Sequence, residues 1–141
     1  MILNRIVFIL PIFLFSCSGS SETDSYDQLP VNSEFEAGKE VYSRSCVACH
    51  MKDGNGLEGT FPPLAKSDYM LAEPKRALKQ VIYGSDETML VNGIEYTSIM
   101  PPQEVTDQEA IEVVNYILNA WGNDGGVVDQ DDLNEVKKDN S

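Results

Sequence analysis

The stretch "CVACH", residues 46–50, constrains this chain more than any other. The sequence has three cysteines and one histidine, and two of those cysteines and the histidine fall within these five positions. Thiols and an imidazole crowded in this way serve a redox dithiol, part of a zinc site, or the attachment of a larger cofactor. The rest of the chain has to separate the three.

Compartment comes first. The chain has 141 residues, enough for one domain and not comfortably for two. It opens with Met1, Asn4 and Arg5, then the apolar run "IVFILPIFLF" leading into "SC". That run is too short to span a bilayer stably, and Pro11 interrupts it, so residues 1–16 read as a secretory signal peptide. Its end, "LFSC" (Leu14 to Cys17), resembles a bacterial lipobox, which implies that Cys17 is lipidated and becomes the first mature residue. Phe15 departs from the small residue usual there, and the alternative is an ordinary signal peptide with a chance cysteine. The expected location is therefore the periplasmic side of a cell membrane, reached by a lipid tether rather than a span. A free "CxxC" outside the cytoplasm tends to be oxidised or otherwise occupied.

The whole chain carries a formal charge of −13; losing Arg5 with the leader makes it about −14. Nucleic acid is excluded as a partner on that balance. Lys75, Arg76 and Lys79 form the one cluster of positive residues before the tail, read as a solvated helix face with a local contact face as the alternative.

Residues 17–32 comprise Cys17 and a polar linker, "SGSSETDSYDQLPVN". The domain is placed at 33–126 and an acidic tail at 127–141. "SEFE" fits a capping box with Ser33 as cap, and predicts a helix from about Glu34 to Cys46 with Gly38 inside it. "MKDGNGLEGTFPPLA" is a loop, and "SDYMLAE" a helical turn capped by Ser67. "PKRALKQVIYG" has Pro74 at the first helical position and Gly84 past the end. Asn92-Gly93 signals a tight turn, and "SIMPP" is extended. In "TDQEAIEVVNYILNAWG", Thr106 and Glu109 form a capping box, and Ile111, Val114, Ile117, Leu118 and Trp121 define an apolar stripe. The tail reads as a frayed helix or none. The expected class is all-α: three main helices whose long loops wrap something that is not protein.

A structural zinc site wants four protein ligands, and Cys46, Cys49 and His50 supply three. A thioredoxin-like dithiol opens a helix after a strand, whereas this motif ends a helix without any parallel-sheet pattern around it. The remaining reading is one covalent c-type haem. Thiols three positions apart reach the two vinyl groups of one porphyrin, and the histidine that follows is carried under the iron. Cys46 and Cys49 are then the attachment residues and His50 the proximal axial ligand.

Over roughly residues 34 to 124 the chain resembles small monohaem class I cytochromes c. The resemblance rests on Gly38 and Tyr42 before "CVACH", on "FPPL", on "GIEYTSIMPP" and on a closing helix bearing "VVNYILNAWG". It implies that the first and last helices cross near Gly38, with Tyr116 filling the crossing. It also implies that a proline carbonyl, Pro62 by position with Pro63 as rival, orients His50. The second axial ligand is sought among Met51, Met70, Met89 and Met100. Met51 adjoins His50 and cannot reach the opposite face; Met70 and Met89 read as core filler. Met100, in the extended "IMPP", matches the family's methionine loop and is the expected ligand, with Met89 as the alternative. Phe61, Leu64, Leu78, Ile82, Tyr96, Ile99 and Trp121 are expected to line the pocket.

With both axial positions filled by protein, what remains is one-electron transfer, with no catalytic residues and no small-molecule substrate. The expected function is a membrane-tethered electron carrier passing electrons between redox proteins. Two alternatives stand: a fixed electron-entry subunit of a respiratory or dehydrogenase complex, and a haem enzyme or gas sensor whose Met100 dissociates.

Overall fold

The computed structural model describes residues 35–141. The leader, Cys17, the linker and Ser33 lie outside the described residues. Helix α1 is Glu36–Ser45, beginning two residues later than the sequence suggested, with Phe35 at the cap position and no side-chain cap. Cys46 is a joint: it ends α1, its N–H donating to Tyr42 O at 2.9 Å, and it starts the single-turn α2, Val47–His50. Met51, at φ 61°, stops that turn and opens the loop.

The loop closes on Ser67, whose Oγ accepts from Met70 N at 3.3 Å and caps α3, Asp68–Ala72. Helix α4, Pro74–Tyr83, has the expected proline start and Gly84 at its end with φ 75°. Strands β1, Met89–Val91, and β2, Ile94–Tyr96, pair antiparallel, Met89 opposite Tyr96. Asn92 and Gly93 turn the hairpin with φ 51° and 81°, the doubly positive pattern of a two-residue turn. The hairpin tip docks on α3: Asn92 N donates to Asp68 Oδ1 at 2.7 Å, and Asp68 N donates to Asn92 Oδ1 at 3.0 Å.

Helix α5, Asp107–Asn119, carries the Thr106/Glu109 capping box. It crosses α1 closely. A Cβ placed on Gly38 would stand 2.0 Å from Glu112 O and 2.7 Å from Tyr116 Cβ, so glycine is required by the approach itself. Tyr42 and Tyr116 meet at this crossing with ring centroids 5.4 Å apart.

Trp121 departs from the expected helical stripe. Helix α5 stops at Asn119, Trp121 takes φ 53°, and its ring folds back against Tyr42 at 5.1 Å and Tyr116 at 5.5 Å. Its Nε1–H donates to Lys52 O at 3.2 Å, tying the helix end to the loop that follows the motif.

The tail is also different from expectation. Gln130–Asp139 forms a sixth helix among the described residues, α6, closed by a capping box between Asp129 and Asp132. Leu133 and Val136 bury its inner face in the core. Lys75 on α4 pairs with Glu135 and Asp132, and Lys137 with Asp107 at the start of α5.

Helices α1, α4, α5 and α6 share one core, centred on Val41, Tyr42, Leu78, Val114, Leu118 and Leu133. Met89, Val91 and Tyr96 of the hairpin form a second, smaller cluster. The expected all-α class holds, with this one short ribbon added. Among the described residues, no helix is long and apolar enough to cross a membrane.

Candidate functional site

An apolar cavity, open to solvent on one side, lies between the two clusters. Met70, Ala77, Val81 and Ile117 of the main core form one side; Met89, Val91 and Tyr96 of the hairpin form another. Cys46, Cys49 and His50 enter from α2, and the "SIMP" segment contributes Ser98 to Pro101. The structure therefore brings Cys46, Cys49, His50, Pro62 and Met100 around one space. Cys17 lies outside the described residues.

Phe61, Leu64, Tyr96 and Ile99 line the cavity as expected, whereas Leu78, Ile82 and Trp121 do not. Leu78 is fully buried in the helical core, Ile82 packs against that core from its edge, and Trp121 belongs to the aromatic group at the crossing. On α4, Ala77, Gln80 and Val81 share the face turned to the cavity, while Leu78 turns to the other helices. Ser67, Tyr69, Gln80 and Ser98 add sparse polarity to the lining, which the sequence reading did not single out.

The helical turn of α2 sets the motif. His50 N–H donates to Cys46 O at 3.0 Å, so thiol and imidazole are one turn apart. Cys46 and Cys49 are free thiols, not joined to each other. Burial pushes the Cys46 thiol up to about 11, so it is protonated at neutral pH. Burial lowers the His50 pKa, and the hydrogen bond to Pro62 opposes that fall. His50 Nδ1 lies 3.0 Å from Pro62 O, which leaves Nε2 for any further bond. The loop that brings Pro62 here is held by Gly56 N–H donating to His50 O at 3.1 Å, and by Leu57 and Phe61 bridged across a tight bend.

The Met100 segment is anchored by backbone bonds. Ser85 N–H donates to Met100 O at 2.8 Å, Met100 N–H to Ser85 O at 2.8 Å, and Gln103 N–H to Val81 O at 2.9 Å. Met70 and Met89 line the same cavity but each is packed into a core cluster; Met100 belongs to neither.

This donor set fits a covalent haem. A neutral imidazole with one committed nitrogen, two neighbouring unpaired thiols, soft thioethers and an apolar lining meet around one open space.

The family model of cytochrome c matches residues 35–121. Alcohol dehydrogenase (quinone), cytochrome c subunit, of Gluconobacter oxydans is 31% identical over 116 residues, covering 72% of this chain and 22% of that protein. Cytochrome c-552 of Thermus thermophilus is 32% identical over 90 residues, covering 60% of this chain and 68% of that one. Gluconate 2-dehydrogenase cytochrome c subunit of Pantoea cypripedii is 31% identical over 108 residues, or 24% of its length. The chain thus spans less than a quarter of the dehydrogenase subunits it matches. The motif, the cavity and a match over most of the folded residues agree: the chain belongs to the cytochrome c family, which implies a covalently bound haem c.

Proposed function

We propose that Cys46 and Cys49 hold the haem through thioethers, that His50 Nε2 and the Met100 thioether are the axial ligands, and that Pro62 O orients His50. The observation carrying this reading is the bond from His50 Nδ1 to Pro62 O, which commits one ring nitrogen and leaves the other for iron beside the two thiols. Haem c bound there supplies a one-electron ferric/ferrous couple. The apolar lining excludes water, and two protein axial ligands leave no open position for a substrate. Met100 is preferred to Met70 and Met89 because those two already serve as packing between helices or strands.

The carrier is exported and tethered on the periplasmic side through lipidated Cys17, and it exchanges electrons with redox proteins. "LFSC" and the linker after it support the tether. About 15 linker residues give a reach of roughly 20 Å as a random coil. The domain division follows: leader 1–16, anchor and linker 17–32, haem domain from 33. The segment from 127, expected as a separate tail, is better counted with the domain, since α6 packs on α4 and α5.

Intact-mass analysis of protein matured in a competent host, with a redox titration, tests the assignment. One added haem and a reversible one-electron couple are expected; no added mass refutes it. Met100→Ala should lower the potential by on the order of 0.2 V. An unchanged potential in that variant, with a fall in Met89→Leu, would move the ligand to Met89.

A second reading, a fixed electron-entry subunit, is favoured by the names of the relatives, which include cytochrome subunits of alcohol and gluconate dehydrogenases. Stable co-purification with a catalytic subunit in mild detergent would select it.

A further inference from the structure

Residues 80–136 contain no Lys or Arg. The Met100 segment runs through this stretch, so the acidic residues that flank the segment have no basic neighbour within it. Ile99, Pro101 and Pro102 form an exposed apolar strip there, Ile99 with 72% of its surface open. Ile99 and Pro101 also line the cavity. The paired bonds between Ser85 and Met100 set Asp86 and Glu87 beside this strip, and Glu104 follows it at the other end. All three carboxylates are exposed, and among the described residues none is engaged in an ion pair.

The positive cluster on α4 is largely neutralised within the molecule. Lys75 holds Glu135 at 2.6 Å and Asp132 at 3.6 Å. Arg76 holds Glu73 at 2.6 Å and lies over the Tyr69 ring at 4.0 Å. Lys79 remains, lining the polar groove that Asp86 and Glu87 also line. The basic residues are thus mostly paired, and the acids at the mouth are not.

We infer that this strip is the docking surface for a redox protein presenting an apolar contact rimmed by lysine or arginine. The inference rests on the electron-carrier reading. The apolar centre gives a dry contact next to Met100. The acidic margin steers a cationic partner to it and rejects anionic ones. One electron crosses: this protein is oxidised by one equivalent, its partner is reduced by one, and no proton or group accompanies it.

The test uses reduced holoprotein and a defined oxidant, tris(phenanthroline)cobalt(III), a trivalent cation with an apolar periphery. Stopped-flow oxidation is compared for wild type, for D86N/E87Q/E104Q, and for E40Q/D124N/D131N, which removes equal charge from elements that do not line the cavity. The reduced visible spectrum reports that each variant keeps its haem site. At about 10 mM ionic strength the first variant should react about fivefold more slowly and the second less than about twofold; the gap should vanish near 1 M salt. Equal slowing of both, or a gap that survives high salt, would overturn the docking surface while leaving electron transfer intact. If reduced wild type fails to reduce the cobalt complex at any salt, the carrier reading falls, and the docking surface with it.

Discussion

Gly38→Ala gives a prediction whose sign depends on the helix crossing. Inside an exposed helix this change stabilises by about 1 kcal/mol, because alanine is the better helix former. Here the new methyl would stand 2.0 Å from Glu112 O, 2.7 Å from Glu112 C and 2.7 Å from Tyr116 Cβ. Two of those three atoms are α5 backbone and cannot rotate away. Restoring ordinary contact means lifting α1 off α5 by on the order of 1.3 Å, and a gap of even 0.5–1 Å forfeits about a quarter to a half of each contact's dispersion energy. Tyr42 and Tyr116, both essentially fully buried, sit at that crossing. Overpacking of this kind costs about 1–3 kcal/mol, and the rigidity of the obstacle places it at or above the upper end. Net of the propensity gain, holoprotein should lose about 2 kcal/mol, a fall in Tm of about 8 °C or more for a domain this size. Thermal melts of wild type and variant, followed by far-ultraviolet circular dichroism at one pH, measure it. An alanine variant as stable as wild type, or more so, would refute the close crossing.

Leu133→Ala should cost about 3 kcal/mol, because Leu133 is fully buried where α6 meets the core; a urea midpoint equal to that of wild type would mean α6 is not docked. Glu109 is held below the usual carboxylate range by accepting from the Thr106 backbone N–H, and then by Arg44. A depressed pKa means its stabilisation is present above about pH 4.5 and is lost as pH falls through the folded value. The stability gap between wild type and Glu109→Gln should therefore narrow on acidification, and a gap that widens below pH 4.5 contradicts the sign. Chain prepared without haem should be largely unfolded, since the cavity lies between the two hydrophobic clusters and the cofactor joins them; a compact, cooperatively melting apo-protein would disprove it.

Local chemistry was legible wherever one residue type has one strong use. The Thr106/Glu109 box, the Ser67 cap, Pro74 at a helix start and Asn92-Gly93 at a hairpin tip all stand as the sequence suggested. Those signals act within four residues and need no tertiary partner. The pocket lining was only half legible. Ala77, Leu78, Val81 and Ile82 recur at helical spacing, but that spacing does not say which edge meets protein and which meets cofactor. Leu78 went to the helices, and Ala77 and Val81 to the cavity. Trp121 was misplaced because α5 ends two residues before it, in a left-handed turn that apolar periodicity does not register. Helix α6 was undervalued because Leu133 and Val136 are few among many acids; the Asp129/Asp132 pair was the signal that could have revealed it. Gln80 and Ser98 carry no motif, and only the fold collects them at the cavity.

The contact of Gly38 with Glu112 has a topological consequence. It joins positions 74 apart in sequence, and the length-dependent part of closing such a loop is about 3.8 kcal/mol of chain entropy. Once made, it turns the polypeptide into a ring fastened by touch instead of by a bond. A protease nick in the exposed stretch around Glu58 and Gly59 would cut that ring without parting it, and the two fragments should travel together until the clasp is melted.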